Sequence, residues 1–142
     1  MIYLDSAYIA KFYLTEADSP RVKSLAENEG RVCCSIIGRV EVAQVFHCKF
    51  REGHINKADT RALFAQFESD CITGLWIWLP LTEDLIAETV IAFRRLQHAM
   101  PLRTADAIHL TTAKQHGIAV IYTNDQRMLA ATGFFKLSGK SV

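Results

Sequence analysis

The chain has 142 residues, of which 50% are apolar and 22% charged, with a formal net charge of +1. A chain of this length fits one domain around one core and buries roughly 70% of the surface its unfolded form exposes. Its longest apolar stretches fall far short of the roughly 20 residues a membrane helix needs. The near-neutral balance argues neither for nor against nucleic acid, because a weak global charge can hide a local basic patch.

The opening "MIYLDSAYIAKFYL" carries no basic leader and no small-residue cleavage site, so it is expected to stay in the mature protein. Its apolar run at Ile2 to Leu4 stops at Asp5, and Ser6 is a candidate N-cap for a following helix. Ser19-Pro20 opens a second helix that Gly30 ends, with proline in the first turn and glycine at the close. "RVCCS" is a strand, and Ser35 starts a long helix to Gly53. Asn56 or Asp59 begins another to about Thr73, and Gly74 separates it from the β-preferring "LWIWLPL". Thr82, Glu83 and Asp84 mark a further helix start; Pro101 lies just past its end at Met100. A helix from Thr104 to His116 stops at Gly117, and "IAVIYT" is a continuous apolar strand of the kind covered on both faces. A short helix from Gln126 to Ala131 and a last strand near Phe135 to Leu137 finish the chain. Strands alternating with helices predict an α/β fold with a mostly parallel central sheet, and no repeat or internal linker interrupts residues 1–142.

Cys33, Cys34, Cys48 and Cys71 have no paired spacing, so neither a disulfide framework nor a zinc site is favoured, and reduced thiols in the cytoplasm are the simpler reading. The carboxylates are more informative. At 100° per residue, Asp106 in "PLRTADAIHL" shares a face with His109, Leu110 and Ala113. Glu41 shares one with Ile37, Val45 and Cys48, Arg39 lies nearly opposite, and Gly38 leaves space beside it. Asp5 and Asp125 close the two most apolar strands, at the sheet edge where ligands of open α/β folds collect. Any one of these acids could be a cap or an arginine's partner. Together they need something positive, since an unpaired buried ion costs several kcal/mol and like neighbours add to it. Lys11 and Arg103 are too few for four carboxylates. An all-oxygen set suits a hard ion, Mg²⁺ or Mn²⁺, which can polarise a phosphoryl oxygen and activate water; phosphodiester hydrolysis is the natural chemistry.

The segments "IYLDSAYIAKFYL", "SIIGRVEVAQV" and "LRTADAIHLTTAKQHGIAVIYTNDQRMLAATG" resemble the PIN-domain ribonucleases, and within them the VapC-type toxins of toxin–antitoxin pairs. The order and spacing of these blocks from residue 2 to 133 carry the likeness. The resemblance implies a PIN-like three-layer fold, with helices flanking a mostly parallel sheet. It also implies that Asp5, Glu41, Asp106 and Asp125 form a catalytic Mg²⁺ site, Mn²⁺ being an alternative ion. It suggests supporting hydrogen bonds from Ser6 and Thr123, each with a structural rival as cap or strand end. Ala7 departs from the polar residue often found there. His109 invites the role of general base, but a histidine packed and hydrogen-bonded in place beside the site is the simpler reading, because a metal-bound water already supplies the nucleophile. Arg103 is a candidate for a substrate phosphate or an acid at the mouth, and Lys11, Arg94 and Arg95 for phosphate positioning.

The implied function is a metal-dependent endoribonuclease acting as a toxin, a homodimer away from membranes, with RNA as substrate and a cognate VapB-like antitoxin. Two other classes compete. A phosphotransfer α/β domain should add an acid pair near the first strand, where this chain has Asp5-Ser6-Ala7, and a late lysine, where it has Thr123-Asn124-Asp125. A catalytically silent PIN-like interaction module would not need all four acids. The long helices after Asn56 and Thr82 are expected to form part of a groove or dimer contact, with Trp76 and Trp78 in the core rather than stacking on bases.

Overall fold

The computed structural model describes residues 1–142. Five short strands, β1 (Ile2–Leu4), β2 (Val32–Ser35), β3 (Trp76–Leu79), β4 (Val120–Tyr122) and β5 (Ser138–Lys140), form one sheet in the order β3-β2-β1-β4-β5, and every neighbouring pair is parallel. Parallel strands need crossovers, which the helices α1 (Ser6–Tyr13), α2 (Ser19–Glu29), α3 (Gly38–Arg51), α4 (Lys57–Thr73), α5 (Glu83–Arg95), α6 (Thr104–Gln115) and α7 (Gln126–Ala131) supply. Both sheet faces are therefore covered, which is why β1 and β2 are buried at every position instead of alternating. Cys33 and Cys34 both lie in the core. So does Trp76, whose indole N–H donates to the Tyr13 hydroxyl at 2.6 Å. Trp78 packs half-buried against the same cluster.

The strand order has one consequence for function. The chain builds outward from β1 through β2 to β3, then crosses back to place β4 on the other side of β1. The connections leaving β1 and β4 therefore diverge and open a crevice at the carboxyl ends of these strands, the topological switch point where open α/β sheets bind ligands.

Most helix limits follow local chemistry. Gly30 and Gly74 end α2 and α4 in the left-handed conformation (φ 66° and 79°), and Asn56 and Thr82 cap α4 and α5 with their side chains. Four boundaries differ from the sequence reading. Asp5, not Ser6, caps α1, accepting from the Tyr8 N–H at 2.9 Å. Ser35 does not open a helix: it pairs with Leu79 in the sheet, its N–H donates to the Tyr3 hydroxyl, and α3 begins only at Gly38. The helix after Thr82 stops at Arg95, because Leu96 turns to extended backbone (ψ 140°) and 97–100 form a separate turn. The last strand lies at Ser138–Lys140, since Lys136 takes a positive φ of 60° that breaks the apolar run, while Phe135 turns into the core.

Gly38 is the tightest point of the site-bearing layer. A Cβ there would stand 2.6 Å from Cys34 Sγ and 3.3 Å from the Trp78 ring. Alanine normally strengthens a helix by roughly 0.5–1 kcal/mol over glycine, but overpacking a core costs about 1–3 kcal/mol. The clash wins, because Cys34 is fully buried and has nowhere to move. Gly38→Ala is expected to lower the urea midpoint, and a raised midpoint would contradict this packing.

Candidate metal site at the carboxyl edge of the sheet

Asp5 follows β1 directly, and its backbone N–H still pairs with the Tyr122 carbonyl of β4 at 3.1 Å. Continuing the Leu4–Tyr122 register sets Asp5 opposite Thr123, whose hydroxyl donates to the second Asp5 oxygen. The Thr123 oxygen in turn accepts the Asp125 N–H at 3.0 Å, so one buried hydroxyl ties the ends of β1 and β4 together across the switch point. Asp5 is 5% exposed and has no lysine or arginine against it. Burial pushes its carboxyl above the usual range, the bonds from Thr123 and Tyr8 and the neighbouring His109 reverse part of that shift, and the Glu41 charge adds to it.

Glu41 stands in the first turn of α3, half-buried, with His109 Nε2 of α6 at 2.7 Å from its Oε2. Burial alone would raise this carboxyl; the His109 hydrogen bond, with a smaller contribution from the Ser6 hydroxyl, outweighs it and holds Glu41 below the usual range. The capping role offered to Ser6 belongs to Asp5.

Asp106 and Asp125 form the other half of the edge. Asp106 lies in the first turn of α6, and its carboxylate folds back to accept the Arg103 N–H at 3.3 Å. Burial raises its carboxyl and the Asp125 charge adds to that, while the Arg103 N–H and the Arg127 and Arg103 charges reverse part of the shift. Asp125 caps α7, accepting from the N–H groups of Arg127 and Met128 at 2.8 and 3.2 Å. The Arg127 guanidinium also grips both its oxygens, at 3.3 and 2.8 Å, and holds the carboxyl below the usual range.

The four acids therefore share one end of the sheet in two mutually repelling pairs, Asp5 with Glu41 and Asp106 with Asp125. No three of them converge closely enough to hold an ion in this arrangement, because Asp106 is turned onto its helix end and Asp125 onto Arg127. The donor set still fits a hard cation. All its ligand atoms are oxygen, and its most buried member is a carboxylate without a cationic partner. The nearby thiols do not compete: burial pushes Cys33 up to about 11 and Cys34 well above its usual value, so both stay protonated.

Of the proposed supporting residues, Arg103 contributes its backbone, and its side chain is exposed at the mouth. Lys11 is paired with Asp18 rather than free for a phosphate, whereas Arg94 and Arg95 are exposed in the last turn of α5. Three participants escaped the sequence reading: Tyr3, the Ser35 N–H and Arg127. Strand alternation held a clue to the first, since Tyr3 and Asp5 lie two residues apart and share a face. A groove of about 1060 Å³ lies elsewhere, lined by Phe12, Leu14, Lys23, Ile55, Leu63 and Asp70 among others, and contains none of the four acids.

No curated protein matches the chain significantly by sequence. Among solved structures, FitAcB from Neisseria gonorrhoeae superposes with a TM-score of 0.75 at 20% identity, covering 98% of this chain and 96% of that one. FitAB bound to an IR36 DNA fragment gives 0.70 at 18% identity, covering 99% and 94%. At these identities the likeness establishes the fold. The PIN-domain family profile matches residues 2–134, which include every acid of the sheet edge, and the chain thereby belongs to the PIN-domain family.

Proposed function

We propose that this protein is a Mg²⁺-dependent endoribonuclease, with Mn²⁺ able to substitute, and the toxin of a VapC-type toxin–antitoxin pair. The observation that carries the reading is Asp5: a buried carboxylate beside Glu41, at the switch point, with no lysine or arginine to neutralise it. Such a group is costly unless a cation completes it. Asp5, Glu41, Asp106 and Asp125 would hold the ion, which when bound polarises a phosphoryl oxygen and lowers the pKa of water.

The chain's own groups divide the remaining work. Glu41 and Asp125, both held low, are ionised at neutral pH, whereas Asp5 and Asp106, held high, are the first to take up protons as the pH falls. Asp125 becomes a free ligand only when Arg127 lets go, and the released guanidinium is then available to a substrate phosphate. Arg94, Arg95 and Arg103 are exposed cations that could position the backbone of a strand without reading its bases. RNA as substrate follows from the family resemblance. No helix is long and apolar enough to cross a membrane, and the free cysteines suit a cytoplasmic setting. For partners, α4 lines the large groove, and α5 leaves Ile86, Val90 and Phe93 exposed along one stripe. These surfaces suit an antitoxin segment and a second copy of the chain.

The test is incubation of antitoxin-free protein with a total RNA pool, with and without Mg²⁺ or Mn²⁺, followed by sequencing of the new ends. Metal-dependent, discrete ends are expected. Asp106→Asn keeps an acceptor for the Arg103 N–H and should fold, yet lose at least about 100-fold in cleavage, the upper end of what even an outer-shell change costs a metal site. An unaltered rate would sink the proposed site.

A further inference from the structure

We infer that Tyr3 and His109 are positioning residues for Glu41, joined in a buried relay that starts from the backbone of β2. The inference deepens the metal-site reading above and rests on it. Three contacts run in series: Ser35 N–H to the Tyr3 oxygen at 2.8 Å, the Tyr3 oxygen to His109 Nδ1 at 2.6 Å, and His109 Nε2 to Glu41 Oε2 at 2.7 Å. Tyr3 is 0% and His109 2% exposed, so no solvent competes along the chain.

With the ring neutral, donor counting gives each bond a direction. The Tyr3 oxygen accepts from Ser35, so its single proton is free to go to His109 Nδ1. Nδ1 is then an acceptor, the ring proton sits on Nε2, and Nε2–H donates to a carboxylate that can only accept. The opposite tautomer would set a nitrogen lone pair against a carboxylate oxygen and leave the tyrosine proton only the weakly accepting Cys34 sulfur. The Tyr3 ring meets the imidazole edge-on, with centroids 5.7 Å apart. Both ring nitrogens are committed. His109 is therefore neither an ion ligand nor the base that takes a proton from water; it acts through Glu41, fixing one oxygen so that the other is presented to the site.

Two readouts test this on the metal-free, full-length protein. Long-range ¹⁵N–¹H spectra should show His109 with a protonated Nε2 and a bare Nδ1 in the wild type, and Tyr3→Phe should lose that pattern. Calorimetric titration with Mn²⁺ should show affinity falling about 10- to 100-fold in Tyr3→Phe and His109→Leu. His109→Gln should recover most of it, because its amide N–H can replace Nε2–H. Tyr3→Phe conserves volume and keeps the test available should the leucine variant not fold. A wild-type ring protonated on Nδ1, or a Tyr3→Phe variant that binds Mn²⁺ as tightly as wild type, would overturn the relay. The expected tautomer in a wild type that binds no Mn²⁺ would support the relay and overturn the metal-site reading instead.

Discussion

Asp5→Asn raises the melting temperature of the metal-free protein and abolishes metal-dependent cleavage. In the wild type this carboxylate is buried against Glu41, with two hydrogen bonds and no lysine or arginine beside it. Asparagine has the same shape. Its oxygen can still accept the Tyr8 N–H, and its amide can donate to the Thr123 oxygen, while the buried charge and its repulsion of Glu41 disappear. Removing a functional strain of this kind commonly gains about 0.5–2 kcal/mol. Since most substitutions of a buried residue destabilise, the sign alone is diagnostic. Thermal unfolding in EDTA measures it, and a lowered melting temperature would mean that Asp5 is a structural cap whose charge the fold already tolerates.

The second large effect is stabilisation by the ion itself, with a pH dependence of predictable sign. At a free Mg²⁺ concentration about 100 times the dissociation constant, binding adds about 2.7 kcal/mol, which for a chain of this length moves the transition by roughly 5–10 °C. Binding needs ionised Asp5 and Asp106, both held above the usual carboxylate range, so the Mg²⁺-induced shift should grow as the pH rises from about 4 through those raised values.

Without metal the signs separate. Asp5 and Asp106 have folded pKa values above their unfolded ones, so their contribution is most favourable below the unfolded pKa and is lost as the pH rises through the folded values. Glu41 and Asp125, held low, contribute above their unfolded pKa values, and that contribution is lost as the pH falls through their folded ones. Melting curves from pH 4 to 8, with and without Mg²⁺, therefore diverge upward. A constant gap, or none, contradicts ion binding by these two acids, and in Asp5→Asn the gap should largely close.

The elements that could be read in the sequence were those with local causes. Gly30, Gly74, Asn56 and Thr82 bound helices through their own dihedral angles or side chains, and the acids at Asp5 and Asp125 stop apolar strands where β1 and β4 end. What escaped depends on neighbours distant in sequence. Ser35 looks like a helix cap until β3 pairs alongside it through Leu79, and Tyr3 looks like one more core residue until α6 brings His109 against its hydroxyl. Arg127 is an unremarked charge until α7 folds it back onto Asp125. Helical projection placed Asp106 and His109 on one inward face, but it could not reveal that His109 serves Glu41 while Asp106 turns to Arg103.

The edge of the sheet thus holds two coupled acid pairs, one of them latched by an arginine, and in the proposed function a single divalent site draws them together. The most direct measurement is a crystal structure grown in Mn²⁺, with anomalous differences collected near the manganese absorption edge. The expected result is an anomalous peak contacted by Asp5 and by at least one of Asp106 and Asp125, with Arg127 swung away from Asp125 and the His109–Glu41 contact intact. Crystals without a peak at this edge, with Arg127 still gripping Asp125 and Asp106 still turned to the Arg103 N–H, would contradict it.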